Sequence, residues 1–290
     1  MDKEMKITGH TGLLCLLGSP VEHSISPAMH NAACQFLGLD YVYLAFDVDT
    51  LNLKEVVEGL RKMRVRGWNL TMPDKNEMAL LADRLSPASE IAGAVNTVVN
   101  DEGILTGYTT DGTGWVLCAK AAGHDPAEKK IVQMGAGGAG TSILVQAAID
   151  GAKQIDVFNA RDGFWPHVQE MVSKINASTA CKVFLHELTD LGALKACIAQ
   201  ADILLNTTPV GMARIPGCLI PDAGYLHSGL VVSDIIYEPK ETQLLKMARE
   251  AGLDTFNGAY MLMYQGAASF KLWTGLEMPL ETIRERYFAG

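Results

Sequence analysis

Two groups of residues in this chain have types and spacing that could do chemistry. The first is QMGAGGAGTS, residues 133–142, in which Gly135, Gly137 and Gly140 fit the spacing G-x-G-x-x-G. The second is a scatter of short polar stretches: Ser24 and Ser26 in HSISP, Asn69, Thr71 and Lys75 in NLTMPDK, Asn96 in GAVNT, Asp111 in GYTTDGTGW and Gln265 in MYQGA. Glycines at that spacing suit a dinucleotide. Gly135 would permit a tight turn, Gly137 would let the backbone approach a pyrophosphate, and Gly140 would allow close helix–strand packing. Hydroxyls and amides gathered at strand ends suit a polyhydroxylated ligand. Each residue alone has a plainer explanation. Ser26 reads as a helix N-cap, Asn96 as a turn residue, Lys75 as a solvated first-turn lysine and Gln265 as a satisfied buried amide. It is their joint occurrence that points to a site.

Such residues need elements to hold them. From residue 12 the chain alternates. GLLCLLG, YVYLAFDV and WNLT read as strands, with helices SPAMHNAACQFLGL, LKEVVEGLRKMRVRG and DKNEMALLAD after them. Ser26 and Pro27 mark a helix start. AVNTVVND and GILTGYT flank Asp101-Glu102-Gly103 as a hairpin. A second series follows Thr113: the helix TGWVLCAKAAG, the strand KKIVQM, the glycine loop, the helix TSILVQAAIDG and the strand QIDVFN. This strand–loop–helix–strand run is what a nucleotide-binding βαβ unit requires, with the helix N-terminus offering free N–H groups to phosphates. A polar helical stretch, ADILLNT, GLVVSDIIY, the helix TQLLKMAREAG and LDTFNG complete the series. The apolar helical tail from Gly258 has no nearby strand partner and is expected to return to the first domain. The expected fold is α/β, with mostly parallel sheets, divided into residues 1–112 with 258–290 and residues 113–257.

The chain has 290 residues, 48% of them hydrophobic, and a formal net charge of −9. That length allows one large α/β unit or two ordinary domains. An acidic chain without a basic run is a poor match for nucleic acid or an anionic membrane. The six cysteines lack C-x-x-C or metal-ligand spacing, and scattered thiols fit a reducing cytoplasm. The charged N-terminus has no signal-peptide core, and the apolar runs are too short to span a bilayer.

The motifs GSPVEHSISPAMHN, NLTMPDK, GAVNTVV, GYTTDGTGW, GAGGAG, NTTPVGM, DIIYEPKET and GAYMLMYQGA, in this order, closely resemble the shikimate dehydrogenase family over essentially the full length. FNARD and the tail LWTG…PLE look most like its quinate/shikimate branch. The resemblance implies an N-terminal substrate domain and a Rossmann-like domain, two α/β domains facing a cleft. It implies reversible oxidation of the 3-hydroxyl of shikimate, or of quinate, by a nicotinamide cofactor, with Lys75 and Asp111 as the catalytic pair. Ser24, Ser26, Thr71, Lys75, Asn96, Asp111 and Gln265 would bind the substrate, with Tyr237 near its carboxylate. Gly135, Ala136, Gly137, Gly138, Ala139, Gly140, Asn159, Arg161, Asp162, Thr207, Met212 and Gly258 would bind the cofactor. No metal is implied. A homodimer is possible. Primary action on quinate, and a nucleotide or metabolite sensor without turnover, are the competing readings.

Two departures from the family pattern bear on these expectations. The family usually has Asn where Thr109 or its neighbour stands, which leaves the support of Asp111 open. Members specific for NADP carry an arginine directly after the strand-end Asn159, where this chain has Ala160. Asp162 would accept hydrogen bonds from the NAD ribose and repel a 2′-phosphate, whereas Arg161 could clamp that phosphate. NAD is therefore expected first and NADP second. Oxidation also needs a base for the hydroxyl proton. Either Lys75 or Asp111 could take it, and the two would titrate as a pair.

Overall fold

The computed structural model describes residues 6–288, in two compact units: Met1–Thr110 with Gln265–Gly290, and Asp111–Tyr264.

In the first unit the elements run β1 (Gly12–Gly18), α1 (Ser26–Leu37), β2 (Tyr41–Asp47), α2 (Leu53–Lys62), β3 (Gly67–Leu70), α3 (Lys75–Leu81), β4 (Arg84–Leu85), α4 (Pro87–Ala92), β5 (Thr97–Asp101) and β6 (Ile104–Tyr108). Its sheet has the order β2-β1-β3-β5-β6-β4. β2, β1 and β3 pair in parallel, and β5 is antiparallel to both β3 and β6. The β5–β6 hairpin turns on Glu102 and Gly103, both at positive φ (53° and 92°), as a two-residue turn between twisted strands demands. β1 is buried on both faces, and its alternation divides the core. Cys15 and Leu17 join Trp68, Leu70 and Val98 on one side. Leu14 and Leu16 join Tyr43, Val99 and Trp273 on the other.

The second unit continues with α5 (Asp111–Ala121), β7 (Lys130–Met134), α6 (Gly138–Ile149), β8 (Gln154–Asn159), α7 (Trp165–Ser178), β9 (Lys182–Glu187), α8 (Leu191–Ile198), β10 (Ile203–Asn206), β11 (Val231–Asp234), α9 (Gln243–Glu250) and β12 (Thr255–Asn257). Its strands are all parallel, in the order β12-β11-β10-β7-β8-β9. The order reverses between β7 and β10. That is the doubly wound arrangement whose ligands bind beyond the carboxyl ends of the strands at the switch point. The last helices are α10 (Ala259–Thr274) and α11 (Leu280–Tyr287), and the division between units falls within α10, at Gln265.

The structure corrects the sequence reading locally. Ser26 is not the cap of α1. Ile25 occupies that position without a side-chain cap, and Ser24 Oγ instead accepts the Ser26 N–H at 3.2 Å. β9 is a strand that the sequence reading passed over, as are β4 and the short helix α4. Among the described residues no helix is long and apolar enough to cross a membrane.

Candidate active site

In the first unit, register brings the polar residues onto one face. Asn69 of β3 lies opposite Thr97 of β5, and Thr97 lies opposite Tyr108 of β6. The same face of β3 carries Gly67, where a Cβ would come within 2.3 Å of the Trp273 indole. Glycine there lets α10 approach, and Trp273 Nε1 donates to Val98 O at 2.9 Å. α10 then lays Gln265 and Ser269 over the strand ends.

A buried network results, and its polarity can be read from one end. Burial pushes the Tyr43 phenol well up, so it is a donor at any ordinary pH. It donates to Asn69 Oδ1 at 2.8 Å. That fixes the Asn69 amide, whose Nδ2 donates to Asn96 O, Thr97 Oγ1 and Ser269 Oγ at 3.0–3.1 Å. Thr97 and Ser269 hydroxyls meet at 2.7 Å. Asn96 Oδ1 accepts the Thr110 N–H at 2.7 Å, while its Nδ2 donates to Thr110 Oγ1 at 3.0 Å and to Gln265 Oε1 at 3.3 Å. Thr110 immediately precedes Asp111, so Asn96 supplies support that the Thr109–Thr110 departure had left open. Asp111 itself is buried and opens α5.

The other expected residues of this unit lie in loops or at helix starts. Thr71 follows β3, its N–H donating to Leu17 O at 2.9 Å, and its methyl lies where a Cβ on Gly18 would fall. Lys75 is the first residue of α3, and its carbonyl accepts the Val95 N–H at 2.9 Å, tying it to the residue before Asn96. Asp74 beside it is buried. Burial raises its pKa, against the opposing hydrogen bond from Thr50 at 2.7 Å. Ser24 and Ser26 sit together at the start of α1.

The second unit builds its site from backbone. Gly135 has φ 99°, which favours glycine. A Cβ on Gly140 would lie 2.6 Å from Thr207 Oγ1 and 2.9 Å from Gly135 O. Thr207, just after β10, donates its hydroxyl to Gly135 O at 2.7 Å and its N–H to Met134 O. Gln133, inside β7, clamps both ends of the loop through Nε2, to Gly135 O at 2.9 Å and Gly140 O at 2.8 Å. Asn159 Oδ1, at the end of β8, accepts the Ala136 N–H at 2.9 Å. Gly137 and Gly138 are different: both are exposed, and an added Cβ would meet no protein atom. They leave an open cradle, half covered by Ala139, over the first turn of α6, whose N–H groups have no intrahelical partners. A pyrophosphate fits that cradle, by backbone donors and by the positive end of the helix.

Beyond β8 lie the other side chains expected at the cofactor. Ala160, Arg161 and Asp162 are exposed. Asp162 Oδ1 accepts the Phe164 N–H at 2.9 Å, turning the chain into α7. Arg161 lies 3.7 Å from Glu187 at the end of β9 and 5.8 Å over the Trp165 ring. Met212 lies in the loop after β10. Gly258 passes so close to Ile235 that a Cβ would fall 1.9 Å from its carbonyl oxygen. Tyr237 is in this unit too, exposed in the loop after β11. That loop is anchored by buried Asp234, which accepts from Asn206, Thr242 and the Ile236 N–H.

Sequence reasoning missed Tyr43, Thr97, Thr110, Ser269, Gln133 and Glu187. A glutamine inside the apolar KIVQM was a usable signal. The hydroxyls of Thr97 and Ser269 gave none, because their partners lie far away in the chain.

Two family models match the chain. One, described as the shikimate dehydrogenase substrate binding domain, covers residues 16–98, and the other, described as the shikimate 5'-dehydrogenase C-terminal domain, covers residues 258–286. The chain is 50% identical over 284 residues to a shikimate dehydrogenase (NADP(+)) of Listeria monocytogenes serotype 4b, covering 98% of each. It is 42% identical over 282 residues to a quinate/shikimate dehydrogenase of Escherichia coli, covering 97% of this chain and 98% of the other. The solved shikimate 5-dehydrogenase of Listeria monocytogenes, in complex with shikimate and NAD, is similar with a TM-score of 0.93 at 49% identity, over 97% of each chain. A quinate dehydrogenase of Corynebacterium glutamicum, in complex with NAD, is similar with a TM-score of 0.85 at 30% identity, over 97% of this chain and 99% of that one. With that identity held over nearly its whole length, the chain belongs to the shikimate dehydrogenase family and is an oxidoreductase.

Proposed function

We propose that the chain catalyses the reversible oxidation of shikimate to 3-dehydroshikimate with a nicotinamide cofactor, and that quinate is a second substrate. The observation that carries this reading is the buried amide–hydroxyl network of Asn69, Asn96, Thr97, Thr110, Gln265 and Ser269 in a chain so similar to a shikimate dehydrogenase. Residues 1–112 and 258–290 form the substrate domain and residues 113–257 the cofactor domain. Ser24, Ser26, Thr71, Asn96 and Gln265 bind the substrate's hydroxyls and carboxylate, with Tyr237 near the carboxylate. The cofactor supplies the hydride acceptor. Lys75 and Asp111 form the pair that takes the hydroxyl proton and steadies the developing alkoxide charge.

On the cofactor side NAD comes first. Glu187, at the end of β9, engages Arg161 and adds its carboxylate to that of Asp162 in the loops after the strands, which disfavours a 2′-phosphate. The Arg161–Glu187 pair is exposed and weak, so NADP can draw the guanidinium away, which makes NADP the second cofactor. The free cysteines, four of them buried, support a cytoplasmic location. Exposed Leu44 and Phe46 on the edge strand β2 offer a second copy an apolar face for a homodimer, which sedimentation would test.

The test of the reading is kinetic efficiency on shikimate and quinate with each cofactor. Shikimate should exceed quinate and NAD should exceed NADP, and Asp162→Ala should narrow the cofactor ratio by roughly tenfold. A preference for quinate would make the protein primarily a quinate dehydrogenase, as the 42% identical relative's name allows. A wild-type preference for NADP would place Arg161 rather than Asp162 at the ribose. Binding of both ligands without turnover would make it a sensor.

A further inference from the structure

A carboxylate is out of place inside β8. Parallel strands covered on both faces are normally apolar throughout, and β8 is otherwise so at its centre, with Ile155 and Val157 fully buried on either side of Asp156. Asp156 is itself 8% exposed and needs partners. Its partners include His186 of β9, with Nε2 2.8 Å from Asp156 Oδ1, and Gln154, whose Nε2 donates to Asp156 Oδ2 at 2.6 Å. Cys197, on α8, completes the group. One ligand atom from each of Asp156, His186 and Cys197 lies within 4.8 Å of the others. Asp156 and Cys197 also line a cavity of about 140 Å³, together with Lys130 and Gln200.

From this geometry we propose that Asp156, His186 and Cys197 form a binding site for a divalent transition-metal ion of the zinc class, apart from the nucleotide cradle. The donor set decides the class. A thiolate and an imidazole favour zinc over magnesium or calcium, which prefer oxygen ligands throughout. Ligand atoms already this close need only small shifts to surround an ion at metal–sulfur and metal–nitrogen distances of about 2.0–2.3 Å. The supporting contacts are also present. Gln154 holds the second carboxylate oxygen, and the His186 ring stacks on Phe158 with centroids 4.6 Å apart, which fixes its plane. Charge balances as well. A dication, one carboxylate and one thiolate sum to zero, so Lys130 at the cavity is not repelled. The cavity leaves a fourth position for water. Binding displaces the thiol proton of Cys197 to solvent and breaks the His186–Asp156 hydrogen bond, so the metal replaces that bond as the link between β8 and β9. His186 directly precedes Glu187, so an ion here would also stiffen the strand end that faces Arg161.

This proposal is independent of the function proposed above. The test uses the full-length, tag-free protein, stripped with a chelator and titrated with Co²⁺. Wild type should take up one ion per chain, with thiolate-to-cobalt charge-transfer absorption, and Zn²⁺ should displace it. Cys197→Ser should abolish the charge-transfer band and, like His186→Ala, weaken binding by roughly a hundredfold or more. Circular dichroism and an unchanged denaturant midpoint would confirm that Cys197→Ser is folded. Should His186→Ala fail to fold, His186→Gln keeps a polar side chain and serves in its place. Failure of wild type to bind Co²⁺ stoichiometrically would overturn the proposal. So would a charge-transfer band that survives in Cys197→Ser.

Discussion

The two ligand-facing regions are built on opposite plans. In the first unit, the candidate ligand contacts are side chains buried in a shared hydrogen-bond network, so each is at once a structural member and a candidate contact. In the second unit, the cradle is backbone. Its supporting side chains, Gln133, Asn159 and Thr207, are buried beneath it, and the surface offered to a ligand is glycine. The difference follows from what each must recognise. A ring bearing hydroxyls needs donors and acceptors at fixed positions, which only side chains locked by neighbours provide. A pyrophosphate needs close approach and a positive field, which a helix N-terminus supplies once side chains are out of the way. Substitutions in the first region should therefore disturb folding and substrate together. Those on the exposed glycines should disturb the cofactor alone.

The largest expected effect breaks chemistry without breaking either region. Lys75→Met keeps the side-chain length and removes the amine. Turnover should fall by ~10²–10⁴-fold, the range for losing a proton-transfer group, with NAD affinity unchanged. Single-turnover rates and an NAD titration would show this, and near-normal turnover would remove Lys75 from the pair.

Next in size is Asn69→Ala, which strikes the network at its centre. It leaves the Tyr43 hydroxyl and the Thr97 and Ser269 side chains short of a partner. Unfolding of the first unit should become easier by about 2–4 kcal/mol. KM for shikimate should rise while that for NAD stays put. Denaturant midpoints and steady-state kinetics separate the two effects, and a rise in KM for NAD alone would contradict the division between regions.

Close behind comes His30, fully buried and stacked on Tyr43 at 4.5 Å, with neither ring nitrogen hydrogen-bonded. Burial lowers its pKa to about 3, whereas the unfolded chain titrates near about 6.5. Between those values the unfolded state binds the proton and the folded state does not. Stability is therefore full above about 6.5 and is lost as pH falls toward 3, by ~2–3 kcal/mol at a pH of about 4.5. His30→Phe keeps the stacking and removes the titration. The acid limb of its stability curve should be shallower than that of wild type by this amount, and parallel limbs would count against the assignment.

The smallest effect is on the other plan. Gly137 has φ −70°, and an added Cβ meets no protein atom. Gly137→Ala should change stability by no more than ~0.5 kcal/mol, yet raise KM for NAD by roughly tenfold, because the methyl group fills the cradle. An unchanged KM for NAD would mean that the pyrophosphate lies elsewhere.

Much of this was legible in the sequence where the signal is local. The glycine spacing, the strand before it and the helix after it occupy adjacent residues, so Gly135, Gly137 and Gly140 could be assigned separate duties. The Glu102–Gly103 turn was legible for the same reason. The network was half legible. Asn96 and Gln265 stand out as amides in apolar runs, but Thr97, Thr110 and Ser269 acquire their roles only when β3, β5, β6 and α10 meet. β9 was hidden because Lys182, His186 and Glu187 break its apolar alternation. Asp156 explains His186, and that pairing is visible only once β8 and β9 lie side by side. Ser26 looked like a cap because serine before proline usually is one. Ser24 takes the Ser26 N–H instead, and with Ile25 at the cap position the helix begins one residue earlier, at Ser26 itself.

The central claim, that the buried network grips an alcohol which the chain oxidises with a cofactor held on the glycine cradle, is tested most directly by one rate. That rate is the growth of reduced-nicotinamide absorbance in wild type, with shikimate as the sole alcohol and NAD as the sole acceptor. The account predicts saturable growth with both, which returns to baseline when either is left out. No growth with NAD or, in a parallel run, with NADP would contradict it.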